Sequence, residues 1–380
     1  MRIETYRNAI NKCIRCGFCL DLTGLGQLRM CPVNEVNGFQ SYSAKGKLVL
    51  ASALLDGRLK YNEEIVKHVF MCSDCGACEQ NCFFFLELGD ISSALKADLV
   101  ERGLSMKDHM LMLQNAQKTD NIFGQPHEKR LQWLAEKPKK KGETVYFVGC
   151  TTSLARTRIA KANRNVMKSS GLDFTLLEQE KCCGFPLLSI GQIEFAKAFA
   201  KYNVEQIEKT GAKRVVFSCP GCYRMFKKEY PRLLGPLPFE AVHTTELYEE
   251  LLDEGQLTPK RKLSFAVTYH DPCHLGRHMN VYDSPRKILE NIPGLKLVEM
   301  TRNRECAYCC GAGGGNLPQA FPEVAASIAV ARLKEATKTD AQLLASACPA
   351  CISNFMLAKK RSKTGIEIKD VAELVVETLR

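Results

Sequence analysis

Tryptophan occurs once in 380 residues, and aromatic residues together make up only 8% of the chain. The basic runs therefore have few stacking partners, which argues against nucleic-acid binding despite a formal net charge of +11. Apolar runs are short: none approaches the roughly 18 residues that a membrane-spanning helix needs. The opening MRIETYRNAINKC has no apolar stretch of the kind a secretory leader carries. No G-x-G-x-x-G opens a helix after a strand, so a dinucleotide loop is not expected. These absences point to an intracellular, reducing setting, where clustered cysteines serve metal rather than disulfides. Composition is otherwise that of an ordinary globular chain, 45% apolar and 25% charged, long enough for two or three domains.

What is abundant is cysteine, with nineteen copies. MCSDCGACEQNCFFF (71–85) spaces Cys72, Cys75, Cys78 and Cys82 as C-x2-C-x2-C-x3-C, and CIRCGFC carries Cys13, Cys16 and Cys19, followed by Cys31-Pro32. Three cysteines at this spacing wrap one corner of a [4Fe–4S] cubane, and in two-cluster ferredoxins the fourth ligand comes from the other run. The expected sets are Cys13, Cys16, Cys19 and Cys82 for one cubane, and Cys72, Cys75, Cys78 and Cys31 for the other. Structural zinc needs only C-x2-C pairs with a longer gap. Two departures stand out: eleven residues separate Cys19 from Cys31, and Phe83 rather than proline follows Cys82. Phe83, Phe84 and Phe85 are expected to cover the clusters and pack as core. Between the runs, Leu48, Leu50, Ala51, Leu54 and Leu55 follow a helical period. Cluster-bound cysteines are thiolates, so the excess positive charge offsets buried anionic groups. EKPKKKGE (136–143) reads as a solvated linker.

The rest of the chain repeats itself. ETVYFVGC ends at Cys150 and KLSFAVTYHDPC at Cys273; EKCCGFP carries Cys182 and Cys183, AYCCGAG carries Cys309 and Cys310; VVFSCPGC ends in Cys219 and Cys222, LLASACPAC in Cys348 and Cys351. Matching cysteines are offset by 123 to 129 residues. Each unit reads as strand, helix, strand, CCG loop, helix, strand, CPxC loop, helix, which argues for a small parallel sheet covered by helices. Ligands in such folds sit beyond the carboxyl ends of strands, where Cys150, Cys219, Cys273 and Cys348 are expected. Five thiols per unit suit an open or expanded iron–sulfur cluster; zinc on four thiolates and a vicinal redox disulfide are the alternatives.

Two copies of C-x31–35-CCG-x35–37-C-P-x-C behind a two-cluster module resemble the CCG-domain iron–sulfur proteins. SYSAKGKL and YHDPCHLGR match that family's style. The group includes heterodisulfide reductase D subunits and the iron–sulfur subunits of glycolate oxidase, anaerobic glycerol-3-phosphate dehydrogenase and lactate-utilisation complexes. The resemblance implies a noncubane [4Fe–4S] cluster on Cys150, Cys182, Cys183, Cys219 and Cys222, and another on Cys273, Cys309, Cys310, Cys348 and Cys351, with zinc as the alternative in one unit. It implies reduction of a small-molecule disulfide between them, CoM-S-S-CoB or similar, with Cys183 and Cys310 at the reacting centre. The second implied function is electron transfer for a flavin-dependent 2-hydroxyacid or glycerol-3-phosphate dehydrogenase. Both need an electron-donating subunit: a cytochrome b, a flavoprotein or a hydrogenase module. Membrane association is expected only through that partner, at the inner face. His270 and His274 flank Cys273; His274 is a candidate proton donor to a leaving thiolate, or a capping or sulfur-facing histidine. Cys306 fits neither pattern and is expected to be a buried free thiol.

The expected fold is α+β with α/β repeats: a mainly helical two-cluster ferredoxin-like domain (1–100), a helical connector of no assigned role (101–141), and tandem α/β units (142–262 and 263–380) related by internal pseudo-symmetry.

Overall fold

The computed structural model describes residues 1–21 and 29–379. The N-terminal part is helical, with helices Ala44–Leu55, Glu63–Phe70 and Leu88–Val100 as its main elements. Ser43 caps the first of these, its side chain accepting from the Gly46 amide. Leu48, Ala51, Leu54 and Leu55 are buried on one face, as their spacing predicts. The buried Asp98 carboxylate accepts from the Arg2 amide at 2.6 Å and the Ile3 amide at 3.0 Å, tying the first residues to helix Leu88–Val100.

Two four-stranded sheets follow. The first comprises β1 (Thr144–Phe147), β2 (Phe174–Thr175), β3 (Arg214–Phe217) and β4 (Glu240–His243) in the order β2-β1-β3-β4. The second comprises β5 (Ala266–His270), β6 (Lys296–Leu297), β7 (Leu343–Ser346) and β8 (Glu367–Asp370) in the order β6-β5-β7-β8. All pairings are parallel, for example Val145↔Val215 and Thr268↔Leu344. The central strands are short buried runs such as TVYF and LLAS, the pattern of strands covered on both faces.

Strands β4 and β8 extend the expected plan. Each runs directly into a helix with a capping box: His243 and Glu246 start Thr244–Asp253, and Asp370 and Glu373 start Val371–Thr378. The closing helix of each unit packs on the opening helix of the other: Thr244–Asp253 on Asp283–Glu290, and Val371–Thr378 on Thr157–Ser169. Ion pairs cross both contacts, Lys287–Asp253 at 2.7 Å and Arg158–Glu373 at 3.0 Å.

Among the described residues, no helix is long and apolar enough to cross a membrane. The expectation that Phe83, Phe84 and Phe85 pack as core is not met: they are 67%, 44% and 89% exposed. Phe85 adopts φ +51°, so the run turns outward instead of continuing a helix or strand.

Candidate metal centres

The N-terminal cysteines fall into two groups. Cys13, Cys16, Cys19 and Cys82 line one small cavity together with Phe84, Leu86 and Leu88. Cys31, Cys72, Cys75 and Cys78 line another, of about 70 Å³. The last cysteine of each run thus lines the other run's cavity. Positive φ at Arg15, Gly17, Asp74 and Gly76 winds the loops tightly enough to turn the thiols to one side. Burial pushes the Cys19 thiol up to about 11 and the Cys31 thiol up to about 12.

The ten repeat cysteines gather where the sheets present their central strands. Cys150 and Cys273 follow β1 and β5; Cys219 and Cys348 follow β3 and β7 and begin helices with proline at the first turn. The C-P-x-C sequence therefore puts one thiol at each helix N-terminus; Cys222 pulls the Cys219 thiol down, while burial pushes the Cys348 thiol up. Backbone N–H groups point at sulfur: Gly311 to Cys309 (3.3 Å), Ala312 to Cys310 (3.4 Å) and Cys351 to Cys348 (3.4 Å). Cys150 and Cys182 sulfurs lie 3.8 Å apart. Hydrogen bonds from Cys182 and then Cys222 pull the Cys183 thiol down to about 6. Cys310 is likewise pulled well down, by Cys309 and then Cys351.

Both sets open onto one cavity of about 250 Å³, lined by Cys150, Cys183, Cys219 and Cys222 from one unit and Cys273, Cys310, Cys348 and Cys351 from the other. Cys182 and Cys309 are buried and absent from that lining. Gly314 permits the approach of the two units here, because a Cβ on it would stand 2.3 Å from the Phe185 ring. Cys306 is half-buried, outside all three cavity linings, rather than the buried thiol expected.

The connector, for which no role is legible in its spacing, supplies part of the cavity wall through Met112, Ile122 and Phe123. It also supplies Arg130, buried and ion-paired with the buried Glu180. Glu180 accepts from the Val148 and Gly149 amides at 2.8 and 2.9 Å, fixing the turn that presents Cys150. Nothing in the local pattern marks this pair, which lies 50 residues apart in the chain.

His274 lines the cavity and is buried. Its Nδ1 lies 3.2 Å from Arg224 Nη1, and its ring stacks on His278 at 4.9 Å and meets Phe185 edge-on at 4.5 Å. A guanidinium only donates, so Nδ1 accepts and the ring proton sits on Nε2. Nε2 has no partner among the described residues. Burial, then the His278 and Arg224 charges, holds His274 well below the ordinary histidine range, so the ring is neutral.

Residues 9–86 match the 4Fe-4S dicluster domain family, and residues 144–227 and 267–356 match the cysteine-rich domain family CCG. Fold and cysteine pattern together define an iron–sulfur oxidoreductase component. The chain belongs to the CCG-domain iron–sulfur protein family. The D subunit of dihydromethanophenazine:CoB–CoM heterodisulfide reductase from Methanosarcina acetivorans is 36% identical over 402 residues, covering 97% of this chain and 94% of its own length. The Methanosarcina mazei protein of the same name is 35% identical at the same coverage. The B subunit of fumarate reductase (CoM/CoB) from Methanothermobacter marburgensis is 26% identical, with 81% of this chain and 61% of its own length aligned. A hypothetical protein from Helicobacter pylori shares the fold, with a TM-score of 0.52 at 12% identity, over 89% of this chain and 68% of its own.

The donor sets fit iron–sulfur groups. All described thiols are unpaired, and most are buried. The buried cations Lys47 and Arg277 lie beside them without a carboxylate partner among the described residues. A buried uncompensated cation is costly, and anionic clusters held on these thiols would balance it.

Proposed function

We propose that this chain is the disulfide-reducing iron–sulfur subunit of an oxidoreductase complex of heterodisulfide reductase type. Cys13, Cys16, Cys19 and Cys82 hold one [4Fe–4S] cubane, and Cys31, Cys72, Cys75 and Cys78 the other. Cys150, Cys182, Cys183, Cys219 and Cys222 hold one noncubane cluster, and Cys273, Cys309, Cys310, Cys348 and Cys351 the second. When bound, these groups supply single electrons at fixed positions. The chain divides into a cluster-binding module (1–100), a connector (101–141) and two units (142–262, 263–380) that are copies of one plan related by pseudo-symmetry. The matching strand orders and reciprocal helix contacts support that division.

The observation that carries the reading is the shared cavity, since reducing R–S–S–R′ to two thiols takes two electrons and two protons, and cysteines of both units face one space. Met112, Ile122, Phe123, Phe185 and Leu357 give that space an apolar wall suited to alkyl disulfides. Cys183 and Cys310 flank the reacting sulfurs. His274 donates Nε2–H to a substrate sulfur as it gains negative charge; as a neutral imidazole it stabilises the thiolate by a hydrogen bond rather than by giving up its proton.

Electrons come from a partner: a cytochrome b subunit, a flavoprotein or a hydrogenase module. The exposed Ile14, Phe83 and Phe85 beside the first cysteine group support docking there. The chain works on the cytoplasmic side, reaching a membrane only through that partner. The test is a single turnover: the chain is purified anaerobically, reduced with a low-potential dye and mixed with CoM-S-S-CoB. Reoxidation with two thiols released per two electrons is expected. No reoxidation by any disulfide, with all clusters present, overturns the reading in favour of electron transfer for a flavin dehydrogenase.

A further inference from the structure

Two histidines, His270 and His274, flank Cys273, where Phe147 and Thr151 flank Cys150, and the first of them stands in a slot the two units share. Phe147 stands three residues before Cys150, and His270 three before Cys273. Phe147 packs on Phe226, four residues after Cys222, with ring centroids 4.9 Å apart. His270 packs on Phe355, four residues after Cys351, also at 4.9 Å. The same slot therefore holds a hydrocarbon ring in one unit and two nitrogens in the other.

His270 is fully buried, so its nitrogens need partners. Arg332 Nε lies 3.2 Å from Nδ1. Arg332 is itself buried and fixed, with Nη1 on the Glu335 carboxylate at 2.7 Å and the Arg302 carbonyl at 2.8 Å. A guanidinium has no lone pair to offer, so Nδ1 accepts and the single ring proton sits on Nε2. Nε2 has no hydrogen-bond partner, sulfur included, among the described residues. Sulfur is close by: a ring nitrogen of His270, Cys310 Sγ and Cys351 Sγ all lie within 4.8 Å of one another, and Arg332 already holds Nδ1. Three such atoms so close suggest metal ligation, but ligation through Nε2 moves the proton to Nδ1, where two N–H groups point at each other.

We propose that His270 is a positioning residue: Arg332 locks it in the tautomer that offers Nε2–H toward Cys310 Sγ, the hydrogen bond closes when the second cysteine set holds its group, and it raises that group's reduction potential above that of the first. The proposal rests on the reading that both sets hold iron–sulfur clusters. Hydrogen bonds to cluster sulfurs stabilise the added negative charge of the reduced state and are a main determinant of potential. Phe147 has no hydrogen to offer, so an incoming electron settles first on the second set.

The test uses the full chain, purified anaerobically, in three forms: wild type, His270→Phe, which copies the ring of the first unit, and His270→Gln, which keeps an N–H donor. Redox titration followed by paramagnetic resonance is expected to show one CCG-bound group shifted about tenfold in its one-electron equilibrium in His270→Phe, or about 59 mV lower. The other groups stay in place, and His270→Gln recovers most of the shift. Wild type labelled with ¹⁵N-histidine gives only a weak nitrogen coupling. An unmoved potential with iron intact, a strong coupling of directly bound nitrogen, or no nitrogen coupling overturns the proposal. If the variants lose iron, the labelled wild-type spectrum decides alone. Iron missing from the second set of the wild type overturns the cluster reading, and this proposal with it.

Discussion

The thiols of Cys75 and Cys309 shift each other's proton affinity across the boundary between the N-terminal module and the second cysteine-rich unit. Arg277 spans the same boundary, with Nε on the Cys75 carbonyl at 2.7 Å and Nη1 on the Ala307 and Glu305 carbonyls at 2.6 and 3.1 Å. His278 adds a contact from Nε2 to the Asp74 carbonyl at 2.9 Å, and Gly76 leaves room for its ring. Among the described residues, it is a thiol of the second unit that is electrostatically linked to one of the N-terminal module. Replacing Arg277 with Met strands three carbonyls and removes a buried cation. Hydrogen bonds to charged groups contribute roughly 1.5–3 kcal/mol each, so the thermal midpoint should fall by several degrees. Electron passage from the module to the second unit should also slow. An unchanged midpoint contradicts the clamp.

Cys183→Ala and Cys310→Ala each remove the thiol that its neighbours acidify most strongly within its set. Residues that merely support a metal ligand typically cost about 10- to 100-fold. Loss of a ligand at the reacting centre should cost at least the upper figure. Disulfide reduction is expected to fall to about one hundredth or less, while the signals of the N-terminal module persist. Normal turnover in both variants contradicts the assigned centre.

Gly314 and Gly211 separate two effects of a methyl group. Both have positive φ, +65° and +78°, but a Cβ at Gly314 meets Phe185 and one at Gly211 meets nothing within 4 Å. Gly211→Ala should cost only the left-handed strain, about 1–2 kcal/mol. Gly314→Ala carries the same strain and displaces Phe185, a cavity wall, so KM for a disulfide should rise in this variant alone. Equal effects on KM contradict Phe185 as a wall.

The cysteine spacing already carries much of this site. Two triplets and two C-CC-CPxC sets are local patterns, and the expected groups of four line common cavities. The parallel-sheet plan was legible from alternating strands and amphipathic helices. Strands β4 and β8 were not, because EAVH and EIKD are four-residue segments with mixed polarity and no period to read. The aromatic run at 83–85 misled because hydrophobic composition gives no direction when the backbone turns outward. The pairs Arg130–Glu180, Arg277–Cys75 and Arg332–His270 lie 50 to 202 residues apart. They depend on how the units dock, which no local period encodes.

His109 gives a pH test away from the cysteines. It is buried in helix Lys107–Thr119 between Phe70 and Phe321, with Nε2 3.3 Å from the Asn316 carbonyl. Burial lowers it to about 4 from an ordinary 6.5. The unfolded chain binds the proton first, so the stability from neutral His109 is present above about 6.5 and is lost as pH falls through about 4. At pH 5 the loss is about 2 kcal/mol. Thermal midpoints at pH 7 and pH 5 should drop further for wild type than for His109→Leu. Equal drops contradict the assignment.

The central claim is that iron and sulfide occupy all four cysteine groups. Iron and acid-labile sulfide per chain, measured on anaerobically purified protein alongside zinc, test it most directly. The account predicts about sixteen irons, four per cluster, with a matching amount of sulfide and no stoichiometric zinc. About eight irons, or an iron-free chain with its thiols paired to one another, contradicts it.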